Sequence, residues 1–176
     1  MFEWIKNTFF ESEQEMLKNY LNKIDEMFYK NSSETIINCR QETFEKIYSM
    51  LIGQAKNSIY VVCKDYDFIF SEKLFPLFSL IVKKEIDITV ISYGGKIDER
   101  LKDLTCFENF NYFVCKVSNE NELNDFIVSD LKMIWIKDVC PVLKAQVCFN
   151  DLINSSCMIG KWKKYEKNMT KIKKTT

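Results

Sequence analysis

Apolar side chains return every three or four positions from Phe2 to Phe28, with acids and lysines between them. This predicts one long amphipathic helix over residues 2–29. Asn31, Ser32 and Ser33 then supply the turn chemistry that ends it. The heptad pattern lapses around residues 11–15, which favours packing within the chain over pairing with a second subunit. Beyond the turn the pattern shortens. Residues 34–39 read as a strand, and 42–56 as a helix with Phe44, Ile47, Tyr48, Leu51 and Ile52 on one face. Ser58–Cys63 (SIYVVC) is an unbroken apolar run, as in a strand covered on both faces. Residues 74–84 read as a helix, and Asp87–Ser92 (DITVIS) as a second buried strand closed by Gly94 and Gly95. A short helix is expected over 96–105.

The rhythm then changes. Residues 109–117 alternate as a strand, and 125–128 and 133–136 flank Ser129 and Asp130 as a tight hairpin. Residues 145–149 form a further strand, and Asn150 caps a helix expected over 151–170. The predicted fold class is α/β: a mixed, largely parallel sheet of about seven strands, helices on both faces, preceded by a long N-terminal helix. The expected organisation is a helix over 1–31, an α/β domain over 34–168 and a basic tail over 169–176.

Composition narrows the chemistry. The chain has 176 residues, 47% of them hydrophobic, with only 4 Gly and 2 Pro, which excludes a disordered or fibrous protein. Basic and acidic residues balance at 25 each, so bulk charge makes no case for nucleic acid or a membrane. There is no histidine, which removes every His-based nucleophile, base and metal ligand. The seven cysteines form no CxxC pair, so neither structural zinc nor any other cofactor is expected, and an odd count suits a reducing compartment. Cys63, Cys115 and Cys148 lie inside apolar runs, as core residues would. Residues 1–10 carry Glu3 and Lys6 and lack an apolar signal core, and no apolar run is long enough to span a bilayer. A cytoplasmic protein is therefore expected.

Charge is uneven, however. From Gly160 onward seven lysines face one acid, Glu166, so this end holds +6 and the rest of the chain −6. The simpler reading is a solvated helix end whose cations complement the helix dipole. The sharper reading makes Lys161, Lys163, Lys164, Lys167 and Lys171 contacts for an anionic partner, such as nucleic acid.

Several motifs, in their order, resemble a single repeat of the phospholipase D-like superfamily. They are the helix end and strand "QAKNSIYVVC", the helix, turn and strand "FPLFSLIVKKEIDITVIS", the hairpin "NDFIVSDLKMIWI", and "AQVCFND" before the last helix. The resemblance covers roughly residues 34–165. Active members carry His-x-Lys-x4-Asp, in which the His attacks a phosphodiester and the Lys holds its oxygens. Aligned on Asp130, this chain has Leu123 at the His position and Asp125 at the Lys position, with Lys137 and Asp138 where Gly-Ser usually follows. Leucine has no lone pair to attack phosphorus. A carboxylate in place of the lysine would repel a phosphodiester by about 4 kcal/mol at 4 Å and an effective dielectric of 20. The resemblance therefore implies a non-catalytic binding or regulatory module, paired as a homodimer across the face of the former active site. It also extends, from about Thr35, to the effector-sensing domain of sugar-responsive transcription regulators, whose winged-helix reader is lacking here, so regulation would run through a partner protein.

Other candidate chemistry sits at the strand ends. Lys64, Asp65 and Asp67 follow the first buried strand and Tyr93 the second, where α/β sheets bind ligands. Together with Asp125 and Asp130 they are expected to line one pocket for a small polar ligand. Asp65, Asp67 and Asp125 can alternatively be read as a Mg²⁺ site, making the chain a metal-dependent nuclease or phosphodiesterase with a non-family carboxylate site. Cys63 and Lys64 alternate across a strand, so they cannot form a nucleophile–base pair. Gly94-Gly95 belongs to neither GxGxxG nor a Walker pattern and reads as a turn. Trp135 is expected in the core, and Trp162 half exposed, packing helix on sheet or stacking on a partner.

Overall fold

The computed structural model describes residues 2–38, 40–64, 66–117, 123–137 and 144–174, with side chains from residue 14 onward except at 41, 42, 67 and 68. Residues 1–32 and 33–176 form two units. The first is helix α1, Phe2–Tyr29, with the bounds its periodicity predicts. Asn31 closes it in the left-handed region at φ 50°, while the N–H groups of Asn31 and Ser32 donate to the carbonyls of Phe28 and Met27. Asparagine tolerates that conformation, so the helix stops there.

The second unit is an eight-stranded sheet among the described residues. Its elements in chain order are β1 (Ile36–Asn38), α2 (Gln41–Gly53), β2 (Ser58–Cys63), α3 (Tyr66–Ile69), α4 (Phe75–Val82) and β3 (Asp87–Ser92). They continue with α5 (Glu99–Leu104), β4 (Phe110–Cys115), β5 (Phe126–Ser129), β6 (Met133–Lys137), β7 (Ala145–Cys148), α6 (Leu152–Lys163) and β8 (Met169–Ile172). The strands lie in the order β1-β7-β6-β5-β2-β3-β4-β8. Only β2-β3 and β3-β4 pair in parallel; β1-β7, β7-β6, β6-β5, β5-β2 and β4-β8 are antiparallel. The sheet is mixed, as expected, but it is not largely parallel. The tight β5–β6 hairpin forces antiparallel pairing, whereas only the crossovers that carry helices give parallel neighbours.

One rung shows how the strands share a core. Val147, Trp135, Ile127, Val61, Val90 and Tyr112 are register partners from strand to strand, and all are fully buried. They face α2 and α4. Phe44 of α2 lies 5.0 Å from the Trp135 ring, and Phe78 of α4 lies 6.0 Å from Phe110. Each such side chain contributes about 1.5–3 kcal/mol by leaving water. The opposite face carries Val62, Ile91, Phe126, Val128, Ile134 and Cys148, packed against Met158, Ile159 and Trp162 of α6. Helices thus cover both faces. Cys63, Cys115 and Cys148 are buried, and burial pushes the thiols of Cys115 and Cys148 up, which leaves those two unreactive.

The chain's end departs from expectation. Asp151 rather than Asn150 caps α6, accepting from the Asn154 N–H at 2.9 Å, and the helix stops at Lys163 instead of near 170. After a single 3-10 turn, residues 169–172 become β8 and pair with β4. The edge of β4 has backbone groups that need partners, and the basic end of the chain satisfies them. Trp162 is 2% exposed, not half exposed, so the helix-to-sheet packing role is the one it plays. Trp135 is core, as predicted. Among the described residues, no helix is long and apolar enough to cross a membrane.

Candidate functional site

The parallel strands β2 and β3 end side by side at Cys63 and Ser92. Strand β5 runs antiparallel to β2, so the residue before it, Asp125, arrives at the same sheet end. Strand β6 returns there with Lys137, whose N–H donates to the Asp125 carbonyl at 2.9 Å. Four chain segments therefore meet around one carboxylate.

Asp125 is 8% exposed. Its Oδ1 accepts from the Lys64 backbone N–H at 2.8 Å and from the Tyr93 hydroxyl at 2.7 Å. Its Oδ2 lies 3.6 Å from Lys137 Nζ. A buried carboxylate is tolerated only with such partners. The negative charge expected to repel a phosphodiester is thus offset in place by a cation from the neighbouring strand. Glycine is required beside it: a Cβ on Gly94 would stand 2.3 Å from the Lys64 carbonyl oxygen. The Tyr93 N–H donates to the Cys63 carbonyl at 3.1 Å, holding the two strand ends at that close approach. The Tyr93 ring in turn lies 5.3 Å from Trp162, and Leu123 packs, partly buried, against the same apolar cluster.

Of the residues expected to line one pocket, Lys64, Tyr93 and Asp125 come together. Asp130 does not. It lies at the far end of β5, where it accepts from the N–H groups of Lys56, Asn57 and Ser58 at 3.0, 2.7 and 3.1 Å. Five residue steps along the strand separate it from Asp125, a rise of about 17 Å. Asp130 pins the start of β2 and turns the β5–β6 hairpin, with φ 53° at Asp130 and 59° at Leu131. Asp65 lies outside the described residues, and Asp67 falls on α3 with its side chain outside them. The Mg²⁺ reading therefore keeps one described ligand, Asp125, whose oxygens already have partners. Among the described residues, no group of three or more Cys, Asp or Glu is arranged to hold a metal ion.

The lysines are spread over three elements. Lys161 and Lys163 lie on α6, Lys164 at its C-cap, Lys167 in the 3-10 turn and Lys171 on β8, where its Nζ donates to Asn111 Oδ1 at 2.6 Å. Lys137 joins the Asp125 cluster without being among the expected site residues, although counting finds it. A hairpin in which Phe126 opposes Ile136 places 137 opposite 125.

No protein-family model matches the sequence, and no curated protein matches it. Solved structures do. Nuc of Salmonella typhimurium, a phospholipase D family member, superposes with a TM-score of 0.61 at 10% identity over 80% of this chain and 100% of its own. NucT of Helicobacter pylori gives 0.61 at 9% identity, over 78% of this chain and 98% of its own. TrmBL2, an archaeal chromatin protein with a novel mode of DNA binding, gives 0.58 at 13% identity, over 96% of this chain and 66% of its own. The chain has the phospholipase D-like fold.

Proposed function

We propose that this chain is a non-catalytic phospholipase D-like domain that works as a binding or regulatory module and pairs as a homodimer. One observation carries the reading. Where the resemblance calls for a nucleophilic His and a phosphate-holding Lys, the chain has Leu123 and Asp125, and Asp125 is engaged by Lys64, Tyr93 and Lys137. An apolar side chain supplies no electron pair, and a clamped carboxylate does not receive a phosphate oxygen. Fold likeness to a phospholipase D family member does not carry activity, because activity resides in the site. Two measurements test the proposal. Plasmid and single-stranded DNA incubated with the purified chain stay intact in Mg²⁺ and in chelator alike, and sedimentation equilibrium gives a concentration-dependent dimer. Chelator-sensitive cleavage lost in Asp125→Asn overturns the non-catalytic reading; a monomer at every concentration overturns the dimer.

A further inference from the structure

The basic end of the chain is held on the sheet. Strand β8 pairs with β4 from Tyr112 opposite Ile172 to Cys115 opposite Met169, and the Lys116 N–H donates to the Asn168 carbonyl at 3.4 Å. All seven lysines of residues 160–174 are exposed. Lys174 pairs with Asp103 at 3.0 Å, and Lys171 donates to Asn111 Oδ1. The other five, Lys161, Lys163, Lys164, Lys167 and Lys173, form no ion pair with any described residue.

Two cavities place these cations side by side. One of about 200 Å³ is lined by Lys163 at the end of α6, Glu166 of the 3-10 turn and Lys171 of β8. Another of about 430 Å³ is lined by Lys171, Lys173 and Lys174, together with Glu108. Lys171 belongs to both, which makes one continuous strip from the end of α6 along the outer edge of the sheet. The segment's seven lysines stand against three acids, Asp103, Glu108 and Glu166, for a net charge of +4, and the rest of the chain holds −4.

A partner must match that chemistry. Protein interfaces are depleted in lysine and anchored by large apolar or aromatic side chains. Membrane-surface segments insert apolar side chains beside their cations. Among the described residues, none of the exposed large apolar side chains falls within 160–174. A phosphodiester backbone asks only for a row of cations, which displace its condensed counterions. We propose that the α6–β8 strip binds nucleic acid through the phosphate backbone, without reading base sequence, and that Lys163, Lys171 and Lys173 are its central contacts. The strip shares no residue with the Asp125 cluster, so it stands or falls independently of the reading given for that cluster.

Fluorescence anisotropy of the full chain with a labelled DNA single strand of about 20 nucleotides, over a salt series, tests it. Two unrelated base sequences should bind alike. The logarithm of the affinity should fall against the logarithm of salt with a slope of about −2, as three phosphate contacts on a single strand require. Lys163→Glu with Lys173→Glu should weaken binding at least about tenfold and reduce the slope by about 0.7 per lysine. Lys56→Glu with Lys83→Glu makes the same change in net charge away from the strip. At about 0.1 M salt, where charges act over about 10 Å, it should leave affinity within about threefold. Matched thermal unfolding shows that each variant is folded. Absence of binding at the lowest salt, affinity unmoved in the Lys163 and Lys173 pair, or an equal loss in the Lys56 and Lys83 pair overturns the proposal. So does labelled poly-glutamate of the same length binding as tightly as the DNA, which would make the partner an acidic protein.

Discussion

Removing the Tyr93–Asp125 hydrogen bond is the sharpest perturbation of the strand-end cluster, because a double-mutant cycle isolates it. Tyr93→Phe deletes one hydroxyl and keeps the ring contact to Trp162 at 5.3 Å. The lost bond, 2.7 Å long to a buried carboxylate, is worth about 1.5–3 kcal/mol. Asp125→Ala deletes the same bond and also removes the carboxylate's contacts with the Lys64 N–H and the Lys137 ammonium, so it should cost more than Tyr93→Phe. In the Asp125→Ala background, Tyr93→Phe no longer breaks the bond to the carboxylate, while the hydroxyl's 3.5 Å bond to the Leu123 carbonyl is lost in both backgrounds and cancels from the cycle. The two changes together should cost less than their sum, with a coupling of at least about 1.5 kcal/mol. Urea unfolding of wild type, both single variants and the double variant, followed by tryptophan fluorescence, measures it. Costs that add to within about 0.5 kcal/mol would refute the claim that this carboxylate clamps the strand ends.

Three further predictions rest on single positions. Gly94→Ala drives a Cβ to 2.3 Å from the Lys64 carbonyl oxygen and should cost about 2 kcal/mol or more, whereas Gly53→Ala, where a Cβ meets nothing within 4 Å, should be neutral or mildly stabilising; thermal melts compare them. Leu131→Gly relieves an exposed leucine held at φ 59° and should stabilise the chain by up to about 1 kcal/mol in denaturant titration, while an unchanged or lower midpoint would contradict the strain. Asp98 caps α5 through the N–H groups of Arg100 and Leu101 and pairs with the Arg100 guanidinium. Burial alone would push its carboxyl up, but the Arg100 contacts and the backbone bonds hold it below the ordinary value. Its stabilisation is therefore complete above the ordinary aspartate range and lost as pH falls through the lowered folded value, so Asp98→Asn should flatten that acid limb of the stability–pH curve.

Legibility in the sequence followed the range of the interactions. Ser58–Cys63 and Asp87–Ser92 were read to the residue, because a short apolar run bounded by polar residues is a local signal. The end of the chain was not. Residues 164–174 look like a solvated helix end, and their conversion into β8 depends on β4, more than fifty residues earlier, offering an unpaired edge. The share of parallel pairing was overestimated because a strand–helix rhythm reports local order, not which strand each partner joins. At the site, the meeting of Lys64, Tyr93 and Asp125 was readable from the rule that ligands and polar groups gather at carboxyl ends of parallel strands. Grouping Asp130 with them followed the spacing of a motif instead of the rise of a strand, which carries it to the opposite end of the sheet.

Turnover of bis(p-nitrophenyl) phosphate by the purified chain tests the central claim most directly, since this diester asks only for a nucleophile and a cationic cradle. With Leu123 and Asp125 as they stand, release of p-nitrophenol should not exceed the buffer rate, with or without Mg²⁺. Release above that rate which rises with protein concentration and disappears in Asp125→Asn would contradict the account.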